Sequence, residues 1–189
     1  MTYIIENLID NFLIDNNSFV FESVEKGKIR GRYTIFGKNP DNFGNFLNVP
    51  FLSLQVNPDI RKYVSNGNQI LIDGAHNPLA AKAVLSYLKS LSSGKKIIML
   101  LGMMSNKDHE DFIKKFKNKV HSIITLDIPN QVNFMNKEKL SKIAQSCGIP
   151  SKTENSIESA LNNIAKENNE AIIFCTGSLY FCGEILNLN

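Results

Sequence analysis

Several patterns that carry chemistry are missing from this chain of 189 residues, and each absence removes a class of function. No Gly-x-x-x-x-Gly-Lys-Ser/Thr segment is present, the loop whose backbone amides cradle nucleotide phosphates. Gly27-Lys28 and Gly94-Lys95 come nearest, but neither has the earlier glycine or a following hydroxyl residue. No Gly-x-Gly-x-x-Gly follows an apolar run, so the usual dinucleotide fingerprint is excluded. The three histidines, His76, His109 and His121, lack metal-ligand spacing. Ser178 follows Gly177 without the Gly-x-Ser-x-Gly surroundings of a hydrolase nucleophile. Together these absences argue against a self-sufficient kinase, hydrolase or oxidoreductase.

Composition excludes more. Cysteine is scarce: Cys147, Cys175 and Cys182 form no Cys-x-x-Cys pair, and Cys175 lies inside an apolar run. They read as reduced, mostly buried thiols of a cytoplasmic protein. No apolar run reaches the roughly 18 residues needed to span a bilayer. Glu6 and Asp10 interrupt the basic-then-apolar order of a signal peptide. Net charge is only +3, from 21 basic and 18 acidic residues scattered along the chain. That bias is too weak to argue for nucleic acid or a membrane as partner. There is no internal repeat and no low-complexity tract. What remains has an ordinary hydrophobic fraction of 43% and enough length for one domain with a proper core and a short appendage.

The order of elements is clearest from residue 69 onward. Gln69–Asp73 is a short β-rich run, and Leu79–Leu91 places Leu79, Ala83, Val84, Leu88 and Leu91 at helical spacing. Lys96–Leu101 reads as a second buried strand ended by Gly102, and Asp108–Phe116 as a short helix with Phe112, Ile113 and Phe116 on one face. Val120–Leu126 is a third strand, followed by a turn at 127–130. Lys137–Cys147 is a helix stopped by Gly148, and Ser156–Lys166 another, capped by Asn155 or Ser156. A short strand near Ile149–Thr153 and a last buried strand at Glu170–Thr176 complete the alternation. Near-continuous apolar strands alternating with helices predict an α/β domain with a mainly parallel sheet covered on both faces. Ahead of it, Tyr3–Leu13 reads as a helix, and Phe19–Val24 and Ile29–Phe36 as strands or an extended arm around Gly31. Residues 37–68, rich in Asn, Gly and Pro, read as a long loop or insertion.

The most informative stretch is Leu71-Ile-Asp-Gly-Ala-His-Asn-Pro78. It lies between a predicted strand and a predicted helix, where open parallel sheets bind ligands at strand carboxyl ends and helix N-terminal amides. Asp73, His76 and Asn77 would then be polar groups at the mouth of a sheet. From these eight residues alone, a second reading stands beside it: Asp73 and Asn77 cap the helix, and His76 is a surface turn residue.

Three ordered motifs, each at a strand end, carry a resemblance. They are Asp73-Gly-Ala-His-Asn-Pro78, Leu101-Gly-Met-Met-Ser-Asn-Lys-Asp108, and Thr176-Gly-Ser-Leu-Tyr180 followed by Gly183-Glu184. Upstream, Ile29-Arg-Gly-Arg32 is similar to a Pro-Gly-Arg hinge. Over about residues 18–189 the chain resembles the folylpolyglutamate synthase/dihydrofolate synthase branch of the Mur ligase superfamily, and specifically its C-terminal domain. The resemblance implies a Rossmann-like fold and an ATP-dependent amide ligase that turns a carboxylate into an acyl phosphate for attack by the amine of L-glutamate. It assigns residues 1–28 to the tail of a preceding ATPase domain or linker, and 29–189 to the C-terminal domain. ATP and Mg²⁺ serve the complete enzyme, with the Mg²⁺ ligands and phosphate loop outside this chain and a folate or dihydropteroate as acceptor.

Residue by residue, the resemblance places Arg32 on the ATP phosphates, a task suited to a permanently charged, forked guanidinium. It places Asp73 at the nucleotide's ribose, His76 near the incoming glutamate as the catalytic candidate, and Ser178 at the same amino acid. Asn77, Lys107 and Asp108 are weaker candidates. From the residues alone, Arg32 also reads as a surface arginine on a β-arm, Ser178 as a helix N-cap, and Lys107-Asp108 as an exposed pair opening a helix. The sequence also departs from the family. Arg30 replaces the hinge proline, which loosens the arm, Asn106 stands where an aspartate is usual, and 37–68 exceeds the typical connection. Two functions follow: the glutamate-side half of a ligase that works with an ATPase half, or a non-catalytic relic or interaction module keeping the fold.

Overall fold

The computed structural model describes residues 24–25, 28–29, 32–36, 67–92 and 94–188. The helix expected over Tyr3–Leu13, nearly all of the strand expected over Phe19–Val24, and residues 37–66 of the expected loop lie outside these. Two short strands, β1 (Val24–Glu25) and β2 (Lys28–Ile29), pair antiparallel. All other strands among the described residues belong to one six-stranded sheet: β3 (Arg32–Phe36), β4 (Gln69–Asp73), β5 (Ile97–Leu101), β6 (Ser122–Thr125), β7 (Ser151–Thr153) and β8 (Ile172–Thr176). Their order across the sheet is β3-β4-β8-β5-β6-β7. Five strands run parallel and β3 joins the β4 edge antiparallel.

Local chemistry sets the helices between them. In α1 (Pro78–Ser92) the proline takes the first helical position, where its missing N–H costs nothing. The Asn77 side chain accepts from the Ala80 amide at 2.9 Å and caps the helix. Asp108 caps α2 (His109–Lys114), Asn136 caps α3 (Lys137–Ser146) and Ser156, rather than Asn155, caps α4 (Ile157–Glu167). Gly148 ends α3 with φ +77°, as its position after the last apolar residue predicts. A further helix, α5 (Leu179–Leu186), follows Ser178, in agreement with the reading of that serine as an N-cap. It starts directly after β8 and spans just over two turns, too short for a clear period.

Strand residues alternate between two cores. Ile70, Ile72, Ile98, Leu100, Ile124, Ile173 and Cys175 face α4 and α5. Leu71, Ile97, Met99, Leu101, Ile123, Ile172 and Phe174 face α1, α2 and α3. Both sheet faces are therefore covered, which explains why these strands read as unbroken apolar runs. The exception is β7, a polar three-residue strand at the sheet edge, where only one neighbour and one well-covered face are available. Phe112, Phe116 and Phe174 stack tilted at centroid distances of 5.2 and 5.8 Å, tying α2 to the central strand β8.

The placement of β8 is the decisive topological event. From β4 the chain moves outward through β5, β6 and β7 with α1, α2 and α3 on one face, then returns to insert β8 between β4 and β5. A right-handed crossover running back across the sheet must use the opposite face, and α4 lies there.

Candidate functional site

Because α1 leaves β4 toward one face and α5 leaves β8 toward the other, the neighbouring strands β4 and β8 open a crevice at their carboxyl ends. That is the switch point at which open α/β sheets hold ligands. The register puts Asp73 beside Thr176, and Thr176 in turn beside Leu101. The turns after β4, β8 and β5 therefore meet, although His76 and Ser178 are about a hundred residues apart in sequence. Arg32 is the first residue of the antiparallel β3 and pairs with Asp73, so its backbone also stands at this edge.

Each polar group of the β4 turn has a defined partner. Asp73 is buried, and its carboxylate accepts from the Ala75 amide at 2.9 Å. Asp73 thus braces the turn, while the helix itself is capped by Asn77. His76 is half-buried, and its Nδ1 lies 2.9 Å from the Gly74 carbonyl. A carbonyl can only accept, so Nδ1 carries the proton in this contact, which leaves Nε2 as the ring nitrogen turned away from the turn's backbone. On β8, the buried Thr176 hydroxyl donates to the Ala75 carbonyl at 3.1 Å, and the Gly177 amide donates to the same oxygen at 2.9 Å. Ser178 is buried and caps α5, its Oγ accepting from the Tyr180 amide at 3.2 Å. The N-termini of α1 and α5 consequently flank the crevice, and both concentrate unsatisfied amides there.

Glycines let the turns approach. A Cβ on Gly74 would meet the Leu179 side chain at 2.3 Å, and one on Gly102 would meet the Phe181 ring at 2.7 Å. Gly177, at φ +108°, would place a Cβ 2.6 Å from the Gly102 carbonyl oxygen. Sequence reasoning treated these glycines as strand ends and motif members; their close packing is a long-range fact.

The turn after β5 is held differently. Its backbone zips to the segment after β6 through Ser105 N–H to Asn133 (2.8 Å) and Met135 N–H to Met103 (2.8 Å). His109, nearly buried, reaches from α2 with Nε2 2.9 Å from the Met104 carbonyl. Asp108 caps α2 through the Asp111 amide at 3.2 Å, and Lys107 is half-buried beside it. Asp108 is thus engaged in its own helix. The zipper and the role of His109 had no local signal, because their partners come from separate loops.

Burial pushes the thiols of Cys175 and Cys182 well above the ordinary cysteine range, and for Cys182 the neighbouring Cys175 and Asp73 add to it. All three cysteines are unpaired and buried. Among the described residues no three His, Cys, Asp or Glu side chains come together to hold a metal ion. No described helix is long and apolar enough to cross a membrane.

The sequence profile of the family described as Mur ligase, glutamate ligase domain, matches residues 60–179, well over half of the chain. The chain belongs to that family. Within the Mur ligase glutamate ligase domain family, it is similar to a dihydrofolate synthetase of Saccharomyces cerevisiae, 25% identical over 130 residues that cover 64% of this chain and 30% of the yeast protein. Among solved structures it is similar to the E. coli FolC protein in complex with DHPP and ADP, with a TM-score of 0.56 and 19% identity over 62% of this chain and 28% of that one. The folylpolyglutamate synthase of Thermotoga maritima gives a TM-score of 0.55 and 24% identity, covering 64% of this chain and 27% of the other. A bifunctional folylpolyglutamate synthase/dihydrofolate synthase from Yersinia pestis, complexed with AMPPNP and a Mn ion, gives 0.55 at 17% identity, over 62% and 28%. At these identities the structural likeness establishes the fold. The chain spans less than a third of each of these relatives.

Proposed function

We propose that this glutamate ligase domain forms the amino-acid side of an ATP- and Mg²⁺-dependent ligase joining L-glutamate to the carboxylate of a folate or dihydropteroate through an acyl phosphate. The phosphate loop and the metal ligands come from a further ATPase domain, on the same polypeptide or a partner chain. The observation that carries the reading is the parallel pairing of β4 and β8, which brings the turn bearing His76 and the N-terminus of α5, opened by Ser178, to the same edge of the sheet. Helix N-terminal amides suit the carboxylates of glutamate, and the Nε2 lone pair suits its ammonium group. In this reading His76 Nε2 takes the proton that turns the ammonium into the attacking amine, the amine attacks the acyl carbon, the bond to phosphate breaks, and the second proton of the nitrogen leaves with the departing phosphate. Ser178 holds the amino acid. Arg32 serves the nucleotide phosphates and Asp73 the ribose. Asn77, Lys107 and Asp108 line the rim.

The test is glutamate-dependent phosphate release from ATP, with dihydropteroate or tetrahydrofolate as acceptor. The 189-residue chain alone is expected to release none, since in-line transfer requires a phosphate loop, a lysine and Mg²⁺. Adding the ATPase half should produce turnover, and His76→Ala should then lower it by about a hundredfold or more. Phosphate release by the chain alone, abolished by Asp73→Ala, would overturn the division of labour. No turnover in the complemented system, together with no glutamate binding, would favour a non-catalytic module.

A further inference from the structure

We infer that Thr176 is the positioning residue of this crevice, its hydroxyl clamping the Ala75 carbonyl so that the peptide leading into His76 holds one orientation relative to Ser178. The inference rests on the reading of His76 as a glutamate-facing group. Ala75 is the point where the two strand-end turns meet. Its amide is taken by the Asp73 carboxylate at 2.9 Å, and its carbonyl by both the Thr176 hydroxyl (3.1 Å) and the Gly177 amide (2.9 Å). Three bonds from two strands thus converge on one residue that is itself only 4% exposed.

The consequence for His76 is geometric. The Ala75 carbonyl and the His76 amide belong to one planar peptide unit, so holding the oxygen sets the plane from which the His76 side chain departs. The ring's remaining torsions are restrained by the bond from Nδ1 to Gly74. A single donor, the Gly177 amide, would fix the distance to the carbonyl but leave the plane free to rotate about that line. The second donor removes that rotation. It comes from Thr176, which is fully buried at the last position of β8 and tied by register to both Asp73 and Leu101. Without the hydroxyl the carbonyl keeps one partner, so the fold should survive while the placement of the ring is lost.

The test uses the full chain, labelled for NMR, with L-glutamate as the titrant and the His76 ring resonances as an independent readout. Thr176→Val is expected to weaken glutamate binding about tenfold or more, and to change the His76 ring from one tautomer to a mixture. Thr176→Ser should restore both readouts. Comparing Thr176→Ser with Thr176→Ala, which lose the same methyl and differ only in the hydroxyl, gives the same decision if valine impairs folding. If wild type binds glutamate and every variant binds alike with unchanged His76 resonances, the positioning role is refuted. If wild type binds no glutamate, the glutamate assignment fails, and the ring resonances by themselves decide whether Thr176 orders His76.

Discussion

Replacing Gly177 by alanine isolates the packing that brings the strand-end turns together. Two costs add at this position. Its φ of +108° is one that L residues rarely adopt, worth about 1–2 kcal/mol by comparison with left-handed backbone generally. The new Cβ would also lie 2.6 Å from the Gly102 carbonyl oxygen, 2.7 Å from Leu101 Cδ1 and 2.8 Å from Met103 Cγ. The first of these is backbone, in a segment whose own amide bonds to the Thr176 carbonyl at 3.3 Å, so it cannot swing aside. Overpacking of this kind costs about 1–3 kcal/mol. The expected loss is therefore about 2–5 kcal/mol, or roughly 4–20 °C in melting temperature for a chain of this size. Two other glycines calibrate it. Gly94 has a similar φ of +86°, yet an added Cβ meets nothing within 4 Å among the described residues, so Gly94→Ala should cost only the backbone share, about 1–2 kcal/mol. Gly183 lies inside α5, again with open space among the described residues, and Gly183→Ala should stabilise by about 0.5–1 kcal/mol. Urea unfolding followed by circular dichroism, read at equal slope, compares the three variants. A Gly177→Ala protein no less stable than Gly94→Ala would refute the packing argument.

Two further outcomes follow from the titratable groups. Burial holds the Cys175 and Cys182 thiols protonated and out of reach, so a thiol reagent at pH 8 should label neither in the folded protein and both after denaturation; prompt native labelling of either would contradict their placement. At Glu154, burial raises the carboxyl pKa, but hydrogen bonds from Asn163 (3.0 Å) and Ser159 (3.0 Å) and the charge of Lys152 together bring it below the usual 4.5. A depressed folded pKa contributes stability that is present above 4.5 and is lost as pH falls through the folded value. The stability gap between wild type and Glu154→Gln should therefore be constant at neutral pH and close in acid; a gap that widens below pH 4 would reverse the sign of the argument.

Much of the site was legible before the fold, for local reasons. Asp73-Gly-Ala-His-Asn-Pro78 sits between an apolar strand and a periodic helix, and both capping and the strand-to-helix turn depend on residues within four positions. For that stretch the structure decides the local roles. Asn77 caps α1, Asp73 braces the turn rather than the helix, and His76, half-buried, bonds back to the Gly74 carbonyl. At Ser178 the N-cap reading is also correct, which says nothing against a ligand at the same helix end.

By itself the sequence determined the element types, the two-sided burial of β4, β5, β6 and β8, and the polar residues at their carboxyl ends. Period, capping and chain direction are properties of neighbours. Only the tertiary structure decided that β8 inserts between β4 and β5, that β3 runs antiparallel with Arg32 beside Asp73, and that the Ala75 carbonyl is the shared anchor of both turns. Thr176 reaches that carbonyl across 101 residues. Parallel pairing between segments so far apart leaves no local pattern, because its partners are chosen by how whole helices and strands fill the core.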